Sequence, residues 1–166
     1  MVRLGYLILG AVVLLPVAAI AAFWGFVHFV QSPLYAAQYF NGLTKIERVE
    51  ASRRWHWGAH PWGGYALGCS FAIATLPLDA PATPPVRQND KRFPWNWPSE
   101  WESTPVATKD GHHAILDDCA YALSEELVLR LRKAHDAAGS FYVAGLEKLF
   151  LYSPEHRIIA RIRFGD

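Results

Sequence analysis

Hydrophobic and polar positions divide this chain unevenly. From Leu4 to Val30 no residue carries a formal charge, and His28 is the one strongly polar interruption. At about 1.5 Å per helical residue the run reaches roughly 40 Å, more than the ~30 Å hydrocarbon core of a bilayer. It predicts a signal-anchor transmembrane helix over residues 1–31, with Pro16 in mid-course. A second reading comes from Arg3, the apolar run Leu4 to Leu15 and Ala19-Ile20-Ala21, which together have the form of a signal peptide cleaved after Ala21. The continued apolar stretch Ala22 to Val30 favours the uncleaved anchor, since a mature secreted chain normally begins polar.

Residues 32–61 read as a juxtamembrane helix and linker. Ser32-Pro33 is a helix start, with Ser as the cap and Pro where its missing N–H costs nothing. Leu34 to Phe40 then places several aromatics just past the span as an interfacial collar, and Asn41-Gly42 ends the turn. Residues 43–54 carry mixed charge and fit helix and strand equally.

Residues 62–166 are expected to form an extracytoplasmic α+β domain. Trp62 to Leu78 is uncharged, yet Tyr65, Leu67, Cys69, Phe71, Ile73 and Thr75 alternate with Ala66, Gly68, Ser70, Ala72 and Ala74. That period of two predicts a buried strand whose small face admits another element closely; a short second membrane helix is the alternative. A Pro/Trp-rich loop follows over 77–105. Within it Phe93 to Trp101 has the density of aromatics expected of a packed loop or a contact surface.

Pro105 to Lys109 and His112 to Leu116 flank Asp110-Gly111, a hairpin signal. Asp117-Asp118 or Ser124 caps the next helix, which has Glu125 and Glu126 in its first turn, basic residues near its end and Gly139 at its stop. Its expected core stripe is Leu123, Leu127, Leu131, Ala134 and Ala138. Extended segments follow at Phe141 to Val143, Leu149 to Tyr152 and Arg157 to Phe164. In the last, Ile158, Ala160, Ile162 and Phe164 face inward and Arg157, Arg161 and Arg163 outward. The sum is a small, mostly antiparallel sheet packed against one main helix.

Charge narrows the partners. Setting Arg3 aside leaves 15 basic and 15 acidic side chains, so nothing in the balance suits nucleic acid. Arg3 and the amino terminus favour an N-inside start, whereas Lys45, Arg48, Arg53 and Arg54 pull the other way. The signal-like head and the cysteines decide for a single pass in a bacterial-type inner membrane, with the C-terminal domain periplasmic.

Cys69 and Cys119 are the only cysteines and are too far apart for a CxxC redox centre. They are expected to form a disulfide tying the helix to the buried strand. His56 and His60 have the four-residue spacing of two imidazoles on one helix face, and His112 or His113 with Asp117 or Asp118 would extend them into a zinc or copper site. Gly58 and Pro61 weaken that helix, so the metal-dependent extracytoplasmic enzyme is the alternative reading. No nucleophile elbow, glycine-rich phosphate loop or haem-attachment motif is present, and no cofactor is expected. The preferred expectation is a membrane-anchored, non-enzymatic domain that binds another, membrane-associated protein and touches the lipid bilayer. It would be an accessory or assembly subunit, or an inhibitor-type immunity protein, making contact through Trp95, Trp97, Trp101, Arg157, Arg161 and Arg163.

Overall fold

The computed structural model describes residues 2–54, 68–86, 97, 100–105, 112–145 and 147–164, with the side chains of 2–11, 13 and 112–114 outside the description. The fold is α+β, with a few helices and one six-stranded antiparallel sheet. Helix α1 spans Val2–Val30 and the short α2 Pro33–Ala37. The strands are β1 Arg48–Arg53, β2 Cys69–Thr75, β3 Glu102–Ser103, β4 Phe141–Ala144, β5 Lys148–Ser153 and β6 Ile158–Phe164. Between β3 and β4 lie α3, His112–Cys119, and α4, Glu125–Asp136. Strand order across the sheet is β1-β2-β6-β5-β4-β3.

Strand β2 is buried along its whole length because both faces of the sheet are covered. Cys69, Phe71 and Ile73 point into a core shared with Ile115, Leu116 and Cys119 of α3 and Leu127, Leu131 and Ala134 of α4. Ala72 and Ala74 point the other way, against Ala36, Tyr39 and Phe40 beside α2 and against Trp97. The alternation of large and small side chains therefore sorts two layers. Small residues on the second face let the α2 segment lie close, as the period-two pattern anticipates.

Ser32 caps α2, accepting from the Tyr35 N–H at 3.2 Å, and Gly42 stops the segment at φ +75°. Ser124 caps α4 by accepting from the Leu127 N–H at 3.3 Å. At Gly139 φ is +88°, and a Cβ there would meet Glu155 Oε2 at 3.3 Å. Gly139→Ala is therefore expected to cost about 1–2 kcal/mol, read as a lowered urea midpoint, because the left-handed backbone tolerates a side chain poorly.

Several expectations are corrected. The strand placed at Trp62 to Leu78 is observed only as Cys69–Thr75, and residues 62–67 lie outside the described residues. Residues 48–53, undecided in the sequence, are the edge strand of the sheet, so the folded unit begins well before residue 62. The second strand expected of the hairpin, His112 to Leu116, is helical instead, as part of His112–Cys119; its turn and first strand lie outside the described residues. Ile115, Leu116 and Cys119 have a helical spacing that buries them together, and this outweighs the local turn signal. In α4 the buried positions are Leu127, Val128, Leu131, Ala134 and His135, because the helix ends before Ala138. Finally, the outward face of β6 is not a solvated one. Ile159 belongs to the second core, and Arg157 precedes the strand in a turn at φ 50°.

The bulge in β1 builds an ion cluster. Pairing skips from Val49–Ala74 to Ala51–Ile73, so Glu50 is the extra residue and the edge strand is bent. Its carboxylate accepts from Arg48 Nε at 3.1 Å and Nη2 at 3.0 Å, from Arg130 Nη1 at 3.4 Å, and from the Thr75 hydroxyl. Arg130 in α4 also donates to the carbonyls of His156 at 3.3 Å and Arg157 at 2.9 Å, clasping the β5–β6 turn. Burial alone would raise the Glu50 carboxyl, but the hydrogen bonds from Thr75, Arg48 and Arg130 outweigh it and hold it below the ordinary range.

Between the depressed folded value and the ordinary unfolded one, the unfolded chain binds more protons. The stabilisation is thus complete above the unfolded pKa and lost as pH falls through the folded one. Glu50→Gln is expected to flatten the acid limb of stability against pH, measured as urea midpoints between about pH 3 and 6. Parallel wild-type and variant curves would contradict the cluster's role.

Candidate functional site

The feature that sets this domain apart is a seam of rings running over the second sheet face, from the end of α1 to the Pro/Trp-rich loop. Phe29, at the end of α1, meets Tyr35 edge to face with ring centres 5.6 Å apart, and Tyr35 meets Tyr39 in the same way at 6.0 Å. Phe40 reaches Trp97 at 5.6 Å, Trp97 reaches Phe150 at 5.1 Å, and Trp97 stacks on Trp101 at 6.4 Å. Trp101 closes the seam against Tyr152 at 6.4 Å. These spacings are those at which aromatic pairs contribute beyond simple burial.

Two arginines cap the seam on the α1 side. The Arg54 guanidinium lies 4.9 Å from the Tyr35 ring centre and donates to the Tyr35 hydroxyl. Arg161 lies 5.2 Å from the Tyr39 ring centre. Both are cation–π distances. At the other end the Tyr152 hydroxyl donates to the Pro81 carbonyl at 2.6 Å, which pins the start of the loop, and burial raises that phenol's pKa.

The residues singled out from the sequence fall in different places. Trp97 is buried, and its indole N–H donates to the Tyr39 carbonyl at 2.7 Å, so it fastens the loop to the α2 segment. Trp101 is half-buried at the rim, and Trp95 lies outside the described residues. Arg157 donates to the Leu76 carbonyl at 3.1 Å and pairs with Glu47, holding the turn to the end of β2. Arg163 sits opposite Ser70 and Lys148 near the other end of the sheet. Arg157 and Arg163 therefore do not share a patch.

Cys69 and Cys119 are bridged, with Cα atoms 5.6 Å apart, and no free cysteine remains. His56 and His60 lie outside the described residues, and for His112 and His113 only the helical backbone is described. Asp117 pairs with Arg132 at 2.6 Å. Among the described residues no group of His, Cys, Asp and Glu is arranged to hold a metal ion.

A chain of buried hydroxyls has no counterpart among the sequence-based expectations. Ser140 Oγ donates to Ser153 Oγ at 2.7 Å, Ser153 Oγ accepts from the His156 N–H at 3.2 Å, and the Ser140 N–H donates to Thr104 Oγ at 3.0 Å. The chain ties β3, β4 and β5 at one end of the sheet. Nearby, burial and then the hydrogen bond to Glu102 push the Tyr142 phenol up to about 12, so it stays protonated and donates at 2.7 Å. Single serines at strand ends carry no periodic signal, which is why the pattern did not reveal them.

Helix α1 presents apolar side chains to its surroundings, with Leu14, Leu15 and Phe26 all more than 60% exposed. Among the described residues no helix is long and apolar enough to cross a membrane. The side chains of residues 1–11 and 13 stand outside that count. Compared with known protein families, characterised proteins and solved structures, the chain has no match.

Proposed function

We propose that this is a single-pass membrane protein in which α1 is an uncleaved anchor and the disulfide-bearing α+β domain stands in the periplasm of a bacterial-type cell. There it binds another membrane-associated protein, as an accessory or assembly subunit or as an inhibitor-type immunity protein. One observation carries the reading. The exposed apolar side chains of α1 continue directly into a domain whose sheet is already covered on both faces. Among the described residues the domain leaves no sheet face uncovered to bury such a helix, and a helix apolar all round is stable only in lipid or against another protein. The sequence makes the same demand, since the uncharged run Leu4 to Val30 exceeds a bilayer core.

The Cys69–Cys119 bridge favours an oxidising compartment for the domain. Contact with the partner falls to the rim of the aromatic seam at Trp101 and to Trp95 of the same Pro/Trp-rich stretch, whereas Arg163 lies toward the other end of the sheet and makes a separate contact. Trp97, Arg157 and Arg161 act from beneath, by holding that surface in shape. Affinity purification of the full chain from solubilised membranes tests the reading. The wild type is expected to recover one specific protein in near-stoichiometric amount, and Trp101→Ala to recover it at least about tenfold less, the loss typical of an aromatic anchor. Recovery of no specific protein by the wild type would sink the proposal.

A further inference from the structure

The uncharged run in α1 is about 10 Å longer than a bilayer core, and its rings gather in the surplus. From Leu7 to Ala22 the sequence holds no aromatic residue, a stretch of sixteen that rises about 24 Å as a helix. With its flanks this fits a hydrocarbon core of roughly 30 Å. Phe23, Trp24, Phe26 and Phe29 then follow within two turns, together with His28, the one strongly polar residue of the run. The four rings are 47% to 61% exposed, and His28 is exposed beside them.

These side chains surround the helix instead of lining one side of it. At about 100° per residue, Phe23, Trp24, His28, Phe29 and Phe26 succeed one another round the axis with no gap wider than about 100°. A partner helix would cover one stripe, whereas a lipid layer meets every side. Phe23 meets Trp24 edge to face at 6.4 Å, and Trp24 meets His28 at 6.5 Å. Trp24 and His28 carry N–H groups that hydrocarbon cannot satisfy and that the ester carbonyls and water of the headgroup layer can. The collar expected just past the span does not supply such rings. Tyr39 and Phe40 are buried in the second core, and Tyr35 is half-buried between Phe29 and Tyr39 with the Arg54 guanidinium over it. Val30 is buried in turn, and Ser52 Oγ of β1 donates to the Gln31 carbonyl at 3.4 Å, so the domain takes up the chain directly after Phe29.

We propose that Phe23, Trp24, Phe26, His28 and Phe29 form a girdle that sits in the phospholipid headgroup layer on the domain side. The hydrocarbon boundary then falls between Ala22 and Phe23, two turns before the helix ends. The proposal rests on the reading of α1 as a bilayer anchor. The rings set the depth of the helix, with the indole and imidazole N–H groups donating to lipid ester oxygens. The single polar residue of the run thereby lies outside the hydrocarbon, and the domain stands about 10 Å clear of the acyl chains.

The test uses the full chain in vesicles of phosphatidylcholine and phosphatidylglycerol, with a nitroxide attached in turn at Ile20→Cys, Phe26→Cys and His28→Cys. Phe26 and His28 lie about 160° apart round the helix. Collisions with oxygen, which enters hydrocarbon, are compared with collisions with a polar nickel chelate, which does not. Ile20 is expected to be reached by oxygen alone. At both Phe26 and His28 the ratio of chelate to oxygen collisions is expected to be at least about tenfold higher, the least that exclusion of a polar solute from hydrocarbon gives. A second measurement needs no new cysteine: the emission that Trp24→Phe removes from the wild type is expected to be quenched more by lipids brominated near the headgroup than by lipids brominated near the bilayer centre. An intact Cys69–Cys119 bridge and an unchanged melting temperature identify labelled variants that have folded; where they have not, the Trp24 measurement decides. Chelate access at Ile20 would overturn the anchor reading and the girdle with it. A ratio at Phe26 and His28 as low as at Ile20, shielding of either from both reagents as under a partner helix, or stronger quenching of Trp24 by the deep bromines overturns the girdle alone.

Discussion

Replacing Cys69 and Cys119 together by alanine is expected to destabilise the domain by about 4 kcal/mol, the chain-entropy value for a loop of about fifty residues. The bridge joins the first residue of β2 to the last residue of α3, a sequence separation of 50. Inside that loop lies the whole Pro/Trp-rich connection, so without the bridge the unfolded chain regains all of that freedom. The folded state loses as well, since both sulfurs sit in the core between the sheet and α3. Against a total stability of about 5–15 kcal/mol for a domain, this is a large fraction. Thermal unfolding should show a fall of about 10–20 °C in melting temperature, and treatment of the wild type with reductant should approach it. A shift of only a degree or two would mean that α3 is fixed to the sheet by packing alone.

Trp97→Ala is expected to be of similar size, about 3–5 kcal/mol. At Trp97 the long loop, the α2 segment and the sheet meet, through Phe40, Phe150 and Trp101 and through the hydrogen bond to the Tyr39 carbonyl. Truncation leaves a cavity among those rings and an acceptor without its donor. Trp97→Phe is expected to cost less, about 2 kcal/mol, because it keeps one ring among these neighbours while giving up the N–H and the rest of the indole. Denaturant midpoints for the pair should therefore stand clearly apart. If both variants unfolded with the wild type, the seam would not be what holds the loop to the domain.

What was legible in the sequence depended on local or strictly periodic chemistry. Ser32 and Ser124 as caps, Gly139 as a left-handed stop, the two-sided alternation of Cys69 to Thr75 and the inward row Ile158, Ala160 and Ile162 can each be read from a few neighbouring residues. The cysteine pair was legible because only two cysteines exist. Features decided by distant neighbours were not. Strand β1 shows no clean alternation because Glu50 bulges out to meet Arg130, eighty positions away. The segment His112 to Cys119 carries residues acceptable to strand and helix, and its contacts with β6 and the bridge choose the helix.

The site shows the same division. Tryptophan density at Phe93 to Trp101 marked the loop as a place where aromatics gather, but density does not say which ring turns inward. Trp97 turns inward because the small face of β2 leaves room for it beside α2. Likewise Arg161 and Arg163, alternating with inward Ile162 in β6, read as a solvated face. Only the α2 segment folding back over that face brings Tyr39 beside Arg161.

Alkaline carbonate extraction of membranes from cells expressing the untagged full chain addresses the anchor most directly. The protein is expected in the pellet, at its full uncleaved mass and with Cys69 and Cys119 bridged. Release of the protein into the carbonate supernatant, or a mature chain beginning after Ala21, would contradict a domain carried on an uncleaved membrane helix.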